Sequence, residues 1–204
     1  MTLHVGTSGW SYPTWRGGFY PADARPDEFL SYYAARFDTV ELNTTGYRLP
    51  AEEQFRTWAE LTPGGFTFAP KLPLRRIDRV STFLERASVL GERLGPVRVV
   101  IEQPRDEGML ELLLGSVAPE QRLALDFRDP SWDGVTLPPA VAVVNELDRD
   151  AAFRYVRLRE PPYSTADLDE LARRLRDGPE TWVYFRHEDK PTAPAYGAQL
   201  LEML

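Results

Sequence analysis

Polar residues in this chain keep to one face of otherwise apolar β-like runs, and this restricts its possible folds more than any other feature. In "TVELN" (39–43), Thr39, Glu41 and Asn43 share one parity, while Val40 and Leu42 hold the other. The same separation recurs in Thr67, Ala69 and Lys71, in Ala124, Asp126 and Arg128, and in Tyr155, Arg157 and Arg159. Successive strand side chains point to opposite faces, so each set lines a single face. Strands covered by helices on both sides would read as nearly continuous apolar runs instead.

Eight such runs follow one another: 3–7, 39–43, 66–71, 97–103, 122–128, 140–146, 153–159 and 182–187. Between them lie helical patterns at 25–37, 51–61, 81–94, 107–117, 164–177 and 194–204, with apolar residues spaced by three and four. Ser81 and Ser164 stand where helix N-caps are expected, and Asp167 completes a capping-box pattern with Ser164. Strand alternating with helix implies parallel pairing. A polar face that avoids helices is supplied by the interior of a closed barrel, whose sites lie at the C-terminal strand ends. The expectation is therefore a compact α/β protein, a (β/α)8 TIM-type barrel formed as one domain over residues 1–204. The stretch 129–140 holds three prolines and no helical period, so an outer helix is expected to be missing between the fifth and sixth strands.

Composition removes several kinds of chemistry. The chain has no cysteine, which excludes disulfides, thiolate metal sites and cysteine nucleophiles. Its two histidines, His4 and His187, are too few for a multi-histidine zinc site. A net charge of −7 disfavours nucleic acid as a partner, and no apolar run approaches the length of a membrane span. The start "MTLHVGTSGW" lacks the basic and apolar segments of a secretory signal, so the cytoplasm is the expected location. Gly6, Gly9, Gly17 and Gly18 form neither a dinucleotide fingerprint nor a P-loop, and no cofactor is expected.

On the barrel reading, Glu41, Asn43, Lys71, Glu102, Asp126, Arg128, Asn145, Arg157 and Arg186 gather at the C-terminal mouth. Burying isolated charges costs several kcal/mol or more, so these groups must pair, meet water or await a ligand. Glu41 is the candidate acid or base, with an internal ion pair as the alternative, and the direction of its pKa shift is left open. Lys71 is a candidate for oxyanion stabilisation, for a Schiff base or, more simply, for anion binding. Arg128 and Arg157 have the paired N–H donors that bind carboxylate or phosphate, with Arg159 or Arg186 assisting; the rival reading is that these arginines neutralise Glu41, Glu102 and Asp126 with no ligand at all. The aromatic loop after the first strand, carrying Trp10, Tyr12, Trp15, Phe19 and Tyr20, either stacks on a ligand or plugs the barrel top as a satellite core.

Taken together, "GTSGWSYPTWRGGFYP" (6–21), "FDTVELNTTGYRLP" (37–50), "W…TPGGFTFAPK" (58–71), "LGPVRVVIEQP" (94–104), "LDFRDPSW" (125–132), "RYVRLR" (154–159) and "VYFRHE" (183–188) resemble the YecE-like family, the bacterial and archaeal domain of unknown function 72. The resemblance implies a TIM-type barrel and no settled activity. Its motif-bearing positions here are Ser8, Trp10, Tyr12, Trp15, Glu41, Asn43, Tyr47, Arg48, Lys71, Arg128, Trp132 and Arg157. The chain departs from the family pattern at Gly46, Arg79, Glu102, Asp129 and the Arg186-His187 pair.

The functional expectation is a protein that binds, or acts without metal on, an anionic small molecule, phosphorylated ones included. Glu41, Lys71 and Asn43 are its catalytic candidates. Ser8, Trp10, Tyr12, Trp15, Tyr47, Arg48, Glu102, Asp126, Arg128, Trp132, Arg157 and Arg186 are its binding candidates. One alternative is a nucleic-acid-associated protein using the aromatic loop and the arginines. The other is a carboxylate-metal isomerase or phosphodiesterase built on Glu41, Glu102 and Asp126.

Overall fold

The computed structural model describes residues 2–46, 50–74 and 77–204. Among these residues, eight strands form where the parity rule places them: β1 (Leu3–Thr7), β2 (Thr39–Leu42), β3 (Thr67–Pro73), β4 (Val97–Ile101), β5 (Leu123–Phe127), β6 (Val141–Val143), β7 (Phe153–Leu158) and β8 (Glu180–Phe185). All pair in parallel. They form a three-stranded sheet, β1-β8-β7, and a five-stranded sheet, β2-β3-β4-β5-β6, rather than one uninterrupted ladder.

Side chains take over where the ladders stop. Between β1 and β2 the backbone bridge is confined to Ser8 and Glu41, where the Gly9 N–H donates to the Glu41 carbonyl at 2.9 Å. Below it the Tyr33 hydroxyl sits between the strands, accepting from the Thr7 N–H at 2.7 Å and lying 3.0 Å from the Thr39 carbonyl as its donor. This close approach needs Gly6, because a Cβ there would lie 2.1 Å from the Thr39 carbonyl oxygen. At the other seam the Asn145 N–H donates to the Tyr155 carbonyl at 2.9 Å. The Asn145 side-chain amide then acts as one more strand residue, accepting from the Arg157 N–H at 2.7 Å and donating to the Arg157 carbonyl at 3.1 Å. Asn145 achieves this at φ 70°, a left-handed conformation that asparagine tolerates better than most residues.

Among the described residues, six α-helices cover the outside: α1 (Phe29–Ala34), α2 (Glu52–Glu60), α3 (Val80–Ala87), α4 (Glu107–Gly115), α5 (Thr165–Leu175) and α6 (Thr192–Glu202). The capping box of α5 forms as its sequence predicts, with Ser164 and Asp167 each serving the other's backbone N–H. Ser81 is not an N-cap: α3 begins at Val80 with Arg79 in the cap position, so Ser81 lies inside the helix. No α-helix joins β5 to β6. The chain instead makes a short turn at Pro130–Trp132 and buries Trp132, Val135 and Leu137. Trp132 stacks on Phe127 of β5 at 4.6 Å, so this stretch supplies apolar cover that a helix would otherwise provide.

Within the strands, small and large residues complement each other. Ala69, Ala124 and Ala142, from the five-stranded sheet, share a buried cluster with Phe153, Tyr155, Trp182 and Tyr184 of the other sheet. The alanines leave room for the rings, as close packing requires. Polar contacts cross the same interior, with Thr39 Oγ1 2.7 Å from the Tyr184 hydroxyl and Tyr155 reaching Glu41. Among the described residues no helix is long and apolar enough to cross a membrane.

Candidate functional site at the strand ends

Glu41 is fully buried near the C-terminal end of β2, facing the opposite sheet. Its Oε1 accepts from the Tyr155 hydroxyl at 2.8 Å, and Arg157 Nε lies 2.9 Å from Oε2 and 3.2 Å from Oε1. Arg98 Nε is 2.7 Å from Oε1, an ion-pair distance, although its N–H is not aimed well enough for a hydrogen bond. Burial alone would push the Glu41 carboxyl upward, but Arg98 and Arg157 outweigh it and hold the pKa at about 2. Glu41 is therefore an ionised counter-charge at neutral pH.

Arg98 joins this pair to a second carboxylate. Its Nη1 donates to Asp126 Oδ2 at 2.6 Å, and the same oxygen receives Arg128 Nη2 at 2.9 Å and Arg159 Nη2 at 2.7 Å. Asn43 donates to the Ser8 hydroxyl oxygen, while its own Oδ1 lies 3.4 Å from Arg98 Nη2. Arg157 Nη2 also reaches Ser8 Oγ at 3.3 Å. Exposure rises outward through the cluster: the Arg98 side chain is 2% exposed, Arg157 10%, Arg159 26% and Arg128 40%. The outer two are the arginines with access to solvent.

Lys71, on the inward parity of β3, is half-buried, and its backbone N–H donates to Thr45 Oγ1 at 3.0 Å. Its ammonium pKa is lowered, first by desolvation and then by Arg98, with Arg157 and Arg128 adding to the effect against the opposing field of Glu41. Tyr155 is pushed well above the ordinary phenol range, first by burial and then by Glu41, so its hydroxyl remains a donor. Burial and the nearby Arg186 and Arg157 depress His187, whose ring stacks on Tyr12 at 4.5 Å.

Of the residues singled out from the sequence, Ser8, Glu41, Asn43, Asp126, Arg128 and Arg157 come together in this cluster. Arg186 lies at its edge, with Nη1 3.3 Å from the Arg159 carbonyl oxygen. Glu102 is exposed beyond β4 rather than enclosed with the acids. Trp15 and Trp132 are core residues: each is buried, and their indole N–H groups donate to the Glu188 and Gln103 carbonyls. The aromatic loop therefore packs into the main apolar core rather than a satellite, with Trp15 and Tyr20 as members and Trp10, Tyr12 and Phe19 against it. Tyr20 stacks on Phe29, Trp10 meets Trp58 edge-on, and Tyr12 donates from its hydroxyl to the Ser8 carbonyl. Tyr47 and Arg48 lie outside the described residues.

Arg98 is the central residue that sequence reasoning missed. It shares the parity of Glu102, so a signal was present, but it lies early in β4, away from the strand end where candidate residues were sought. A long side chain crosses that distance. Tyr155 was recognised as inward-facing without being assigned to the site.

The fold and cluster define a parallel α/β protein with a charged site at the C-terminal ends of its strands. Residues 4–147 match the family described as "Protein of unknown function DUF72", and the chain belongs to that family. The UPF0759 protein YecE of Escherichia coli (strain K12) is 32% identical over 143 residues, 64% of this chain and 50% of the relative. The chain thus spans about half the length of the curated relatives it matches. Among solved structures, a DUF72 family protein from Thermotoga maritima MSB8 has a TM-score of 0.74 at 24% identity, covering 100% of this chain and 99% of that one. One from Enterococcus faecalis V583 has a TM-score of 0.77 at 15% identity, covering 100% and 95%. The family match stops before β7, so Tyr155, Arg157, Arg159 and Arg186 lie beyond it, although the quoted motifs at 154–159 and 183–188 resemble the family.

Proposed function

We propose that the two sheets act as one closed (β/α)8-type barrel whose C-terminal end binds an anionic small molecule. The observation that carries this reading is the charge balance: four guanidiniums, from Arg98, Arg128, Arg157 and Arg159, surround only two carboxylates, Glu41 and Asp126. Two positive charges are left over at a partly enclosed place, where they attract an anion more strongly than they would in water. Arg128 and Arg159 present the binding donors, while Arg98 and Glu41 hold the cluster in place. If the protein turns its ligand over, Lys71 suits proton transfer better than Glu41, because its lowered pKa favours release of a proton.

The two alternatives have less support. The rings of Tyr12, Trp15 and Tyr20 are engaged with one another, with His187 and with Phe29, which leaves them little platform for stacking on a base. Arg98 lies between Glu41 and Asp126 and pairs with both, occupying the place a bridging cation would take.

A thermal-shift panel with sugar phosphates, nucleotides, carboxylates, oligonucleotides and divalent metals tests the reading on wild type and Arg128→Ala. A ligand at a hundred times its Kd adds about 2.7 kcal/mol, enough to raise Tm by several degrees. The expected result is a rise with one class of small anion that shrinks in Arg128→Ala. No rise with any small anion would overturn it.

A further inference from the structure

Asp126 Oδ2 is oversubscribed. A carboxylate oxygen offers about two lone-pair sites, yet this one faces Arg98 Nη1, Arg128 Nη2 and Arg159 Nη2, all within 2.9 Å. Arg98 is fixed by burial and by Glu41, so the surplus falls on Arg128 and Arg159. Arg159 also carries an unmet donor, because its Nε is buried and has no hydrogen-bond partner. An unsatisfied buried donor is costly, and an acceptor able to draw Arg159 into a fuller set of bonds would recover that cost.

We propose that Arg128 and Arg159 form the seat for a dianionic group, a phosphate monoester or its equivalent, and that Asp126 is an internal anion competing for the same donors. This deepens the anion-binding reading and rests on it. Two surplus guanidinium charges are neutralised by a dianion but only half neutralised by a carboxylate. A tetrahedral dianion also has enough oxygens to give Arg128, Arg159 and the idle Arg159 Nε separate acceptors. Asp126 thus sets the discrimination: its charge raises the threshold an incoming anion must exceed, and monoanions fall below it.

The test is titration calorimetry of wild type and Asp126→Asn with inorganic phosphate, and with acetate as the monoanion, at fixed pH and ionic strength. Asp126→Asn keeps the shape and removes the competing charge. Wild type should bind phosphate in preference to acetate, and the variant should bind phosphate at least tenfold more tightly. Phosphate binding that is equal or weaker in the variant overturns the competitor role while leaving the anion site standing. Loss of phosphate binding in both proteins removes the site itself. Should Asp126→Asn fail to fold by circular dichroism, Arg159→Gln decides, since Arg98 and Arg128 still neutralise Asp126 there. Phosphate affinity should then fall at least tenfold, and unchanged affinity would overturn the seat.

Discussion

Each end of the strand bundle carries a knot of charges, and the two knots are built on opposite principles. At the C-terminal end, Glu41 and Arg98 are sealed from water and the network holds more cations than anions. At the N-terminal end, His4 lies between two acids, with Nδ1 2.7 Å from Asp38 and Nε2 3.1 Å from Glu180, while Arg122 reaches Glu180 at 2.9 Å. The side chains of Asp38, Glu180 and Arg122 are 48%, 31% and 45% exposed. Water screens those three partners, while the His4 ring is 12% exposed and stacks on Trp182 at 4.7 Å. Burial therefore separates a site from a fastening: charges sealed inside must be balanced by each other or by a ligand, whereas charges at a rim are balanced by solvent.

The sharpest way to break this comparison is Arg98→Met. It leaves Glu41 and Asp126 without the cation they share, and breaking a buried pair in this way costs roughly 3–5 kcal/mol. Urea denaturation should show that loss. A cost below about 1 kcal/mol would make the buried network equivalent to a rim pair.

Acid provides the next test. The Glu41 carboxyl titrates at about 2 in the folded chain against an ordinary value of 4.5. A depressed carboxyl contributes stability that is present above the unfolded pKa and disappears as pH falls through the folded one. Here that contribution is about 3 kcal/mol, lost between roughly pH 5 and pH 2. Unfolding free energies measured across that interval should fall steeply for wild type and more gently for Glu41→Gln. Parallel curves would mean that Glu41 is not held ionised by Arg98 and Arg157.

The sequence made the two ends unequally legible. Strand positions and the inward polar face could be read because side-chain parity is a local property. Glu41, Asn43, Asp126, Arg128 and Arg157 followed from it directly. Parity says nothing about reach, however, so Arg98 was overlooked although it faces the same interior, and Glu102 was brought in although it projects into solvent. Trp15 and Trp132 are drawn into the core by tertiary packing that a loop sequence does not disclose. The break into two sheets was also hidden, because its seams depend on single residues: a glycine that admits the Tyr33 hydroxyl, and an asparagine that extends β6 with its side chain.

The smallest expected effect belongs to His4. Burial works against a charge on its ring, but the hydrogen bonds and fields of Asp38 and Glu180 outweigh it and raise the pKa above the ordinary 6.5. A raised histidine contributes stability that is fully present below the unfolded pKa and is lost as pH rises through the folded value. Stability should therefore decline slightly as pH rises from 6.5, the reverse of the acid limb set by Glu41. The exposed partners limit this to under about 1 kcal/mol, and salt should shrink it further. His4→Gln should remove the decline in urea denaturation curves collected on either side of that pH, leaving the acid limb intact. A decline that persists in the variant would assign it to another group, and one as steep as the acid limb would mean that the rim knot is as well sealed as the site at the other end.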